Sequence, residues 1–149
     1  MTNIAIKYGG TVDKYIGDAI MIFFGDPQSK GTKEDAIACV TMALEMKKKL
    51  RKLKKEWERT GLSESLDVRM GIHTDVCTVG NFGSSDRLDY TVLGNGVNLA
   101  SRLESMAGAN EILISENTHN LVNNDVQSQF FSEITVKGKA HPVKAYQVL

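Results

Sequence analysis

The spacing of apolar residues changes repeatedly along the chain, and each change predicts an element. Within residues 9–25, two extended runs flank Gly17-Asp18, a favourable tight-turn pair, and predict a β-hairpin. Its second run, from Ala19 onward, is apolar at nearly every position, as in a strand covered on both faces. After a polar loop at 26–31, Ile37, Val40, Leu44, Leu50, Leu53 and Trp57 fall at roughly helical spacing. This predicts a long helix opening at Thr32, with Asp35 completing a capping box and Gly61 ending it. Leu66, Val68, Met70 and Ile72 then alternate with Asp67, Arg69 and Gly71, the signature of a half-buried strand.

Further strands are predicted at 76–79 and 88–93 around a glycine- and serine-bearing loop at 80–87. A second helix follows at 95–106, with Val97, Leu99, Ala100 and Leu103 available for packing. A short strand at 111–115, a short helix at 116–122 and strands near 129–137 and 142–149 complete the chain. The order predicts an α+β fold, one sheet with helices on one face.

Composition narrows the possibilities. A chain of 149 residues with 42% hydrophobic content suits one domain with a real core. Formal net charge is zero, which gives no reason to expect nucleic-acid or membrane partners. No apolar stretch approaches the roughly 20 residues of a membrane span, and the first residues are too polar for a secretory signal. Cys39 and Cys77 lie far apart and in no metal-ligand spacing, so two ordinary thiols are expected. Residues 47–59 carry eight basic and two acidic side chains. Because Leu50, Leu53 and Trp57 keep their spacing through them, a solvated helix face is expected, and no aromatic platform for nucleic acid accompanies it.

Four collinear stretches carry more specific information. They are Gly10-Thr11-Val12-Asp13-Lys14-Tyr15-Ile16-Gly17-Asp18; Arg69-Met70-Gly71-Ile72-His73-Thr74 with Val79-Gly80-Asn81-Phe82-Gly83; Asp89-Tyr90-Thr91-Val92-Leu93-Gly94 leading into Val97-Asn98-Leu99-Ala100-Ser101-Arg102-Leu103-Glu104; and Val136-Lys137-Gly138-Lys139. Together they resemble the class III adenylate/guanylate cyclase family, from about residue 8 to the C-terminus. The turn Ile16-Gly17-Asp18-Ala19-Ile20 departs from the Gly-Gly-Asp-Glu-Phe-like hairpin of diguanylate cyclases.

The resemblance implies a ferredoxin-like βαββαβ core with a mainly antiparallel sheet. It also implies conversion of ATP to cyclic AMP and pyrophosphate by attack of the ribose 3′-hydroxyl on the α-phosphorus. Two divalent cations (Mg2+ or Mn2+) assist in the family, held by two aspartates of one subunit, and Asp18 matches the second of these. Asn98, matching the ribose-orienting asparagine, and Arg102, matching the arginine that stabilises phosphate charge, stand four apart, on one face of a helix. The rival reading of Arg102 is a surface cation paired with Glu104 or another acid.

Lys14 and Thr91 match the two positions that read the purine edge in the family. A lysine donates to adenine N1 and a threonine hydroxyl accepts from the exocyclic amine, so ATP is expected over GTP. Lys137 matches a lysine on the terminal phosphates, with Lys139 an open alternative. His73, His119 and His141 are read as structural.

The family's first strand, which holds the other metal aspartate, has no counterpart ahead of Gly9. The expectation is therefore one catalytic domain over 1–149, N-terminally shortened and weak or inactive by itself. The resemblance further implies a cytoplasmic homodimer with composite sites and an upstream sensor or regulatory domain in the parent protein, which could itself be membrane-anchored. The alternative is a non-catalytic, cyclase-like ATP-binding regulatory module.

Overall fold

The computed structural model describes residues 1–61, 66–84, 87–136 and 140–149. A short helix α1 (Thr2–Lys7) leads into a hairpin of β1 (Thr11–Ile16) and β2 (Ala19–Phe23). Gly17 takes the positive φ (59°) that the two-residue turn demands. The long helix α2 (Thr32–Arg59) follows, then β3 (Met70–Ile72) and the antiparallel pair β4 (Thr78–Ser84) and β5 (Arg87–Leu93). Helix α3 (Asn95–Met106), strand β6 (Ile112–Ser115), helix α4 (Glu116–Val122) and strands β7 (Ser128–Ile134) and β8 (Val143–Val148) complete the order.

β3, β6, β8 and β7 form a four-stranded sheet in that order, parallel only between β3 and β6. The α+β class is as predicted and the pairing is antiparallel-dominated, as the resemblance implies, but among the described residues β1–β2 and β4–β5 pair alone beside this four-stranded sheet, where one sheet was expected. The sheet is, however, covered on both faces rather than one. Every residue of β6 is buried. Ile112 and Ile114 pack with Ala36, Val40 and Ala43 of α2 and Val122 of α4. Leu113, pointing the other way, packs with Leu103 of α3, Ala107, Ile134 and Ala145. Met42 and Met46 of α2 also receive Ala5 of α1 and the inner side of the β1–β2 hairpin.

Several local expectations change. Thr32 does not cap α2: the cap position is Gly31, with φ 113°, and no side chain satisfies that end. The Asp35 carboxylate turns back instead to accept from Ser29 Oγ and from Lys30 N. β2 is not covered on both faces: Ala19 and Ile20 are exposed and the rest of the strand is only half-buried. The alternation at 66–72 yields a strand only from Met70, where the ladder to β6 begins. The loop expected at 80–87 is largely strand, since β4 continues to Ser84, opposite Arg87.

Candidate active site

Helix α3 carries two of the expected residues. Leu99 and Leu103 are buried, which turns Asn98 and Arg102 outward, both exposed. Neither makes a hydrogen bond or ion pair among the described residues. Glu104, the acid that the rival reading would pair with Arg102, pairs instead with Arg69 at 3.3 Å. Arg69 also donates to Ser105 O at 3.5 Å. An amide and a guanidinium thus stand one turn apart on a solvent-facing surface with their donors open to a ligand.

Close backbone packing sets the position of this helix. Gly71 of β3 lies against α3 so tightly that a methyl there would come 2.9 Å from Leu103 Cβ, and nearer still to Ala100 O and Glu104 N. At the other end, Gly96 rests on Asp75, Cys77 and His73. His73, 2% exposed in its side chain, has Nδ1 2.7 Å from Ser115 Oγ and Nε2 3.2 Å from Asp75 Oδ2. Both ring nitrogens are engaged in structural work. His119 likewise meets Ser128 Oγ at 2.8 Å and stacks on Tyr146.

Lys14 is exposed on β1. Thr91 lies on β5, opposite Gly80. The two strands are joined by a hydrogen bond between neighbours of both, from Val92 N to Asp13 Oδ2 at 3.3 Å. Asp13, which sequence reasoning left without a role, occupies a register break in the hairpin. That signal exists only once the strands are paired. Lys137, with its neighbour Lys139, lies outside the described residues.

Asp18 is exposed at the tip of the β1–β2 hairpin, and nothing among the described residues engages its carboxylate. A free, exposed carboxylate suits a hard divalent cation as one oxygen ligand. Among the described residues, however, no group of three His, Cys, Asp or Glu side chains is arranged to hold a metal ion. Asp18 is therefore at most one ligand, and no hydrogen bond or ion pair joins it to Asn98 or Arg102. A cavity of about 180 Å³, lined by Lys47, Leu50, Arg51, Lys54 and Asn110, lies on the basic face of α2. None of the candidate residues lines it, and Lys14, Asn98 and Arg102 stand on open surface.

Residues 4–149 match the family described as Adenylate and Guanylate cyclase catalytic domain. The chain belongs to this family. It is 36% identical to the adenylate cyclase of Anabaena cylindrica, over 94% of this chain and 28% of that protein. It is 34% identical to the terminal-differentiation-specific adenylate cyclase of Dictyostelium discoideum, over 95% of this chain and 7% of that one. The chain thus spans well under a third of these curated relatives.

Among solved structures, the adenylyl cyclase CyaB from P. aeruginosa superposes with a TM-score of 0.93 at 49% identity, covering 99% of this chain and 76% of that one. The guanylate cyclase domain of RhGC from Catenaria anguillulae, in complex with GTP, superposes with a TM-score of 0.82 at 27% identity, again over 99% and 76%. Both nucleotide classes therefore occur among the family members similar to this chain. No helix among the described residues is long and apolar enough to cross a membrane.

Proposed function

We propose that this domain converts ATP into 3′,5′-cyclic AMP and pyrophosphate. The observation that carries the reading is the pair Asn98 and Arg102, held one turn apart by a buried helix face and left without protein partners among the described residues. In the reaction the ribose 3′-oxygen forms a bond to the α-phosphorus, the bond to the bridging α–β oxygen breaks, and the 3′-proton is released. Asn98 orients the ribose. Arg102 offers fixed donors to oxygens that gain charge in the transition state. Lys14 donates to adenine N1, and the Thr91 hydroxyl accepts from the exocyclic amine. Lys137 meets the terminal phosphates.

The family works with divalent metal ions. An ion held through Asp18 would lower the pKa of the 3′-hydroxyl and offset phosphate charge. A second carboxylate and the substrate phosphates would supply the remaining oxygens. The site would be composite, with Asp18 of one subunit facing Asn98 and Arg102 of another in a C2 dimer. Tyr15 and Ile16, 62% and 58% exposed beside the Asp18 turn, support such an interface. Because the substrate is ATP, the domain is expected to face the cytoplasm.

Cyclic AMP formation from ATP with manganese tests the reading, using this chain beside a version extended upstream with a family-type first strand. Product from the extended version, lowered about 10²–10³-fold by Arg102→Ala, is expected. ATP binding without any product would favour a non-catalytic regulatory module, a reading the lone Asp18 carboxylate supports.

A further inference from the structure

Base selection requires two readers on different strands to keep a fixed separation. Lys14 stands on β1 and Thr91 on β5. These strands belong to different hairpins, and no backbone ladder joins them. A purine edge can be read by two groups only if their backbone origins are held to within a fraction of an ångström.

The β1–β2 register shows how they are held. Val12 pairs with Ile22 and Lys14 with Met21, so Asp13 is one extra residue on its strand. Such a bulge bends the strand and re-aims the side chain at the irregular position. Here the Asp13 carboxylate is half-buried and accepts the backbone N–H of Val92 at 3.3 Å. Val92 itself pairs with Val79 of β4 and is 5% exposed, so the donating end of the bond is anchored in a packed strand. The bond connects the residue just before Lys14 to the residue just after Thr91.

We propose that Asp13 is a positioning residue for base selection: its bulge and carboxylate fix the spacing between Lys14 and Thr91 that favours adenine over guanine. The proposal rests on the reading of Lys14 and Thr91 as the base-contacting residues. A carboxylate suits the role because its bond to a half-buried amide is charge-assisted and short of competing water.

The test uses the complete protein and compares kcat/KM for ATP and for GTP in the wild type and in Asp13→Ala, Asp13→Asn and Asp13→Glu. Asp13→Ala is expected to lower the ATP-over-GTP ratio by about tenfold, chiefly through ATP, because an unpaired recognition group discriminates poorly. Asp13→Asn keeps an acceptor oxygen at the same reach and is expected to restore most of the ratio. Asp13→Glu keeps the charge but changes the spacing, and is expected to lower the ratio even if the alanine variant fails to fold. Amide exchange at Val92 should accelerate in Asp13→Ala and stay slow in Asp13→Asn. Equal losses on both nucleotides, or an unchanged ratio in Asp13→Ala and Asp13→Glu, would overturn the proposal while leaving the base readers in place. A wild-type protein with no preference for ATP would overturn the reading of Lys14 and Thr91 and the proposal with it.

Discussion

Replacing Gly71 by alanine probes the contact that sets α3 against the sheet. The added methyl would lie 2.9 Å from Leu103 Cβ and nearer to Ala100 O and Glu104 N. Carbon atoms pack comfortably at about 3.5–4.0 Å, so Leu103 alone demands a shift of roughly 0.6 Å or more, and the two backbone atoms require on the order of 1 Å. A rotamer change relieves none of this, because two of the three obstacles are main-chain atoms. Either β3 or α3 must translate. β3 is fixed by its parallel ladder, Met70 to Ile112, Gly71 to Leu113 and Ile72 to Ile114. α3 is fixed by Leu99 and Leu103, both nearly inaccessible to water.

Overpacking of a close-packed core costs about 1–3 kcal/mol and sometimes more. With main-chain obstacles, about 3 kcal/mol or more is expected for Gly71→Ala. In a chain of this length that is a fall of roughly 6–12 °C in Tm. The displacement also moves the helix that presents Asn98 and Arg102, and a misplacement of about 1 Å can cost roughly a hundredfold in rate. Urea denaturation gives the first quantity. Cyclic AMP formation by the complete protein, measured well below the variant's Tm, gives the second. A Gly71→Ala protein within about 0.5 kcal/mol of wild type, with wild-type turnover, would refute the packing argument and with it the idea that β3 sets the register of α3.

Arg102→Ala should leave stability within about 0.5 kcal/mol, since the side chain is exposed and unpaired among the described residues, yet lower kcat by about 10²–10³; unchanged kcat would remove Arg102 from the site. Lys14→Glu replaces the donor to adenine N1 with an acceptor and should cut ATP turnover at least about tenfold relative to GTP, read from paired kcat/KM values. A hydrogen bond from Tyr8, then Lys7, holds the Glu45 carboxyl below the usual carboxylate range. That stabilisation is fully present above the unfolded value of about 4.3 and disappears as pH falls through the lower folded value, so Glu45→Gln should flatten the acid limb of urea midpoints between pH 3 and 6; identical limbs would contradict it. Burial between two core clusters pushes the Cys39 thiol up to about 12, so it should resist a thiol reagent at pH 8 in the native protein and react in urea.

Why some of this was readable in the chain and some was not follows from where each signal resides. Helices α3 and α4 match their sequence expectation in extent; for α3 the signal is local, an apolar face through Val97, Leu99, Ala100 and Leu103. The expected strand at 66–72 shrinks to three residues for a non-local reason. Alternation can specify two faces, but a ladder needs a neighbour, and β6 supplies one from Ile112. Ahead of it, Val68 N is taken by the Asn110 side chain at 3.2 Å, and Asp67 by Lys54 and Asn110. The covering of both faces was present in Ile112-Leu113-Ile114-Ser115, apolar without alternation until its last residue, but it required knowing that α2 and α3 approach from opposite sides.

The same distinction separates the candidate site residues from those that hold them. Asp18, Asn98 and Arg102 enter as candidates through the family resemblance, and the chemistry proposed for each resides in its own side chain, at a turn or on a helix face that short-range pattern can locate. Gly71 and Asp13 work through position. Gly71 matters because it lacks a side chain where another backbone passes, and no window of sequence records which backbone that is. Asp13 reads as an ordinary polar residue of β1 until the pairing of Val12 with Ile22 and Lys14 with Met21 shows that it has no opposite number. A bulge is a difference between two strands, so it cannot be found in either strand alone. Residues that place a reactive group thus leave their trace in register and approach distance, and substitutions at Gly71 and Asp13 test the site more sharply than their plain appearance in the chain would invite.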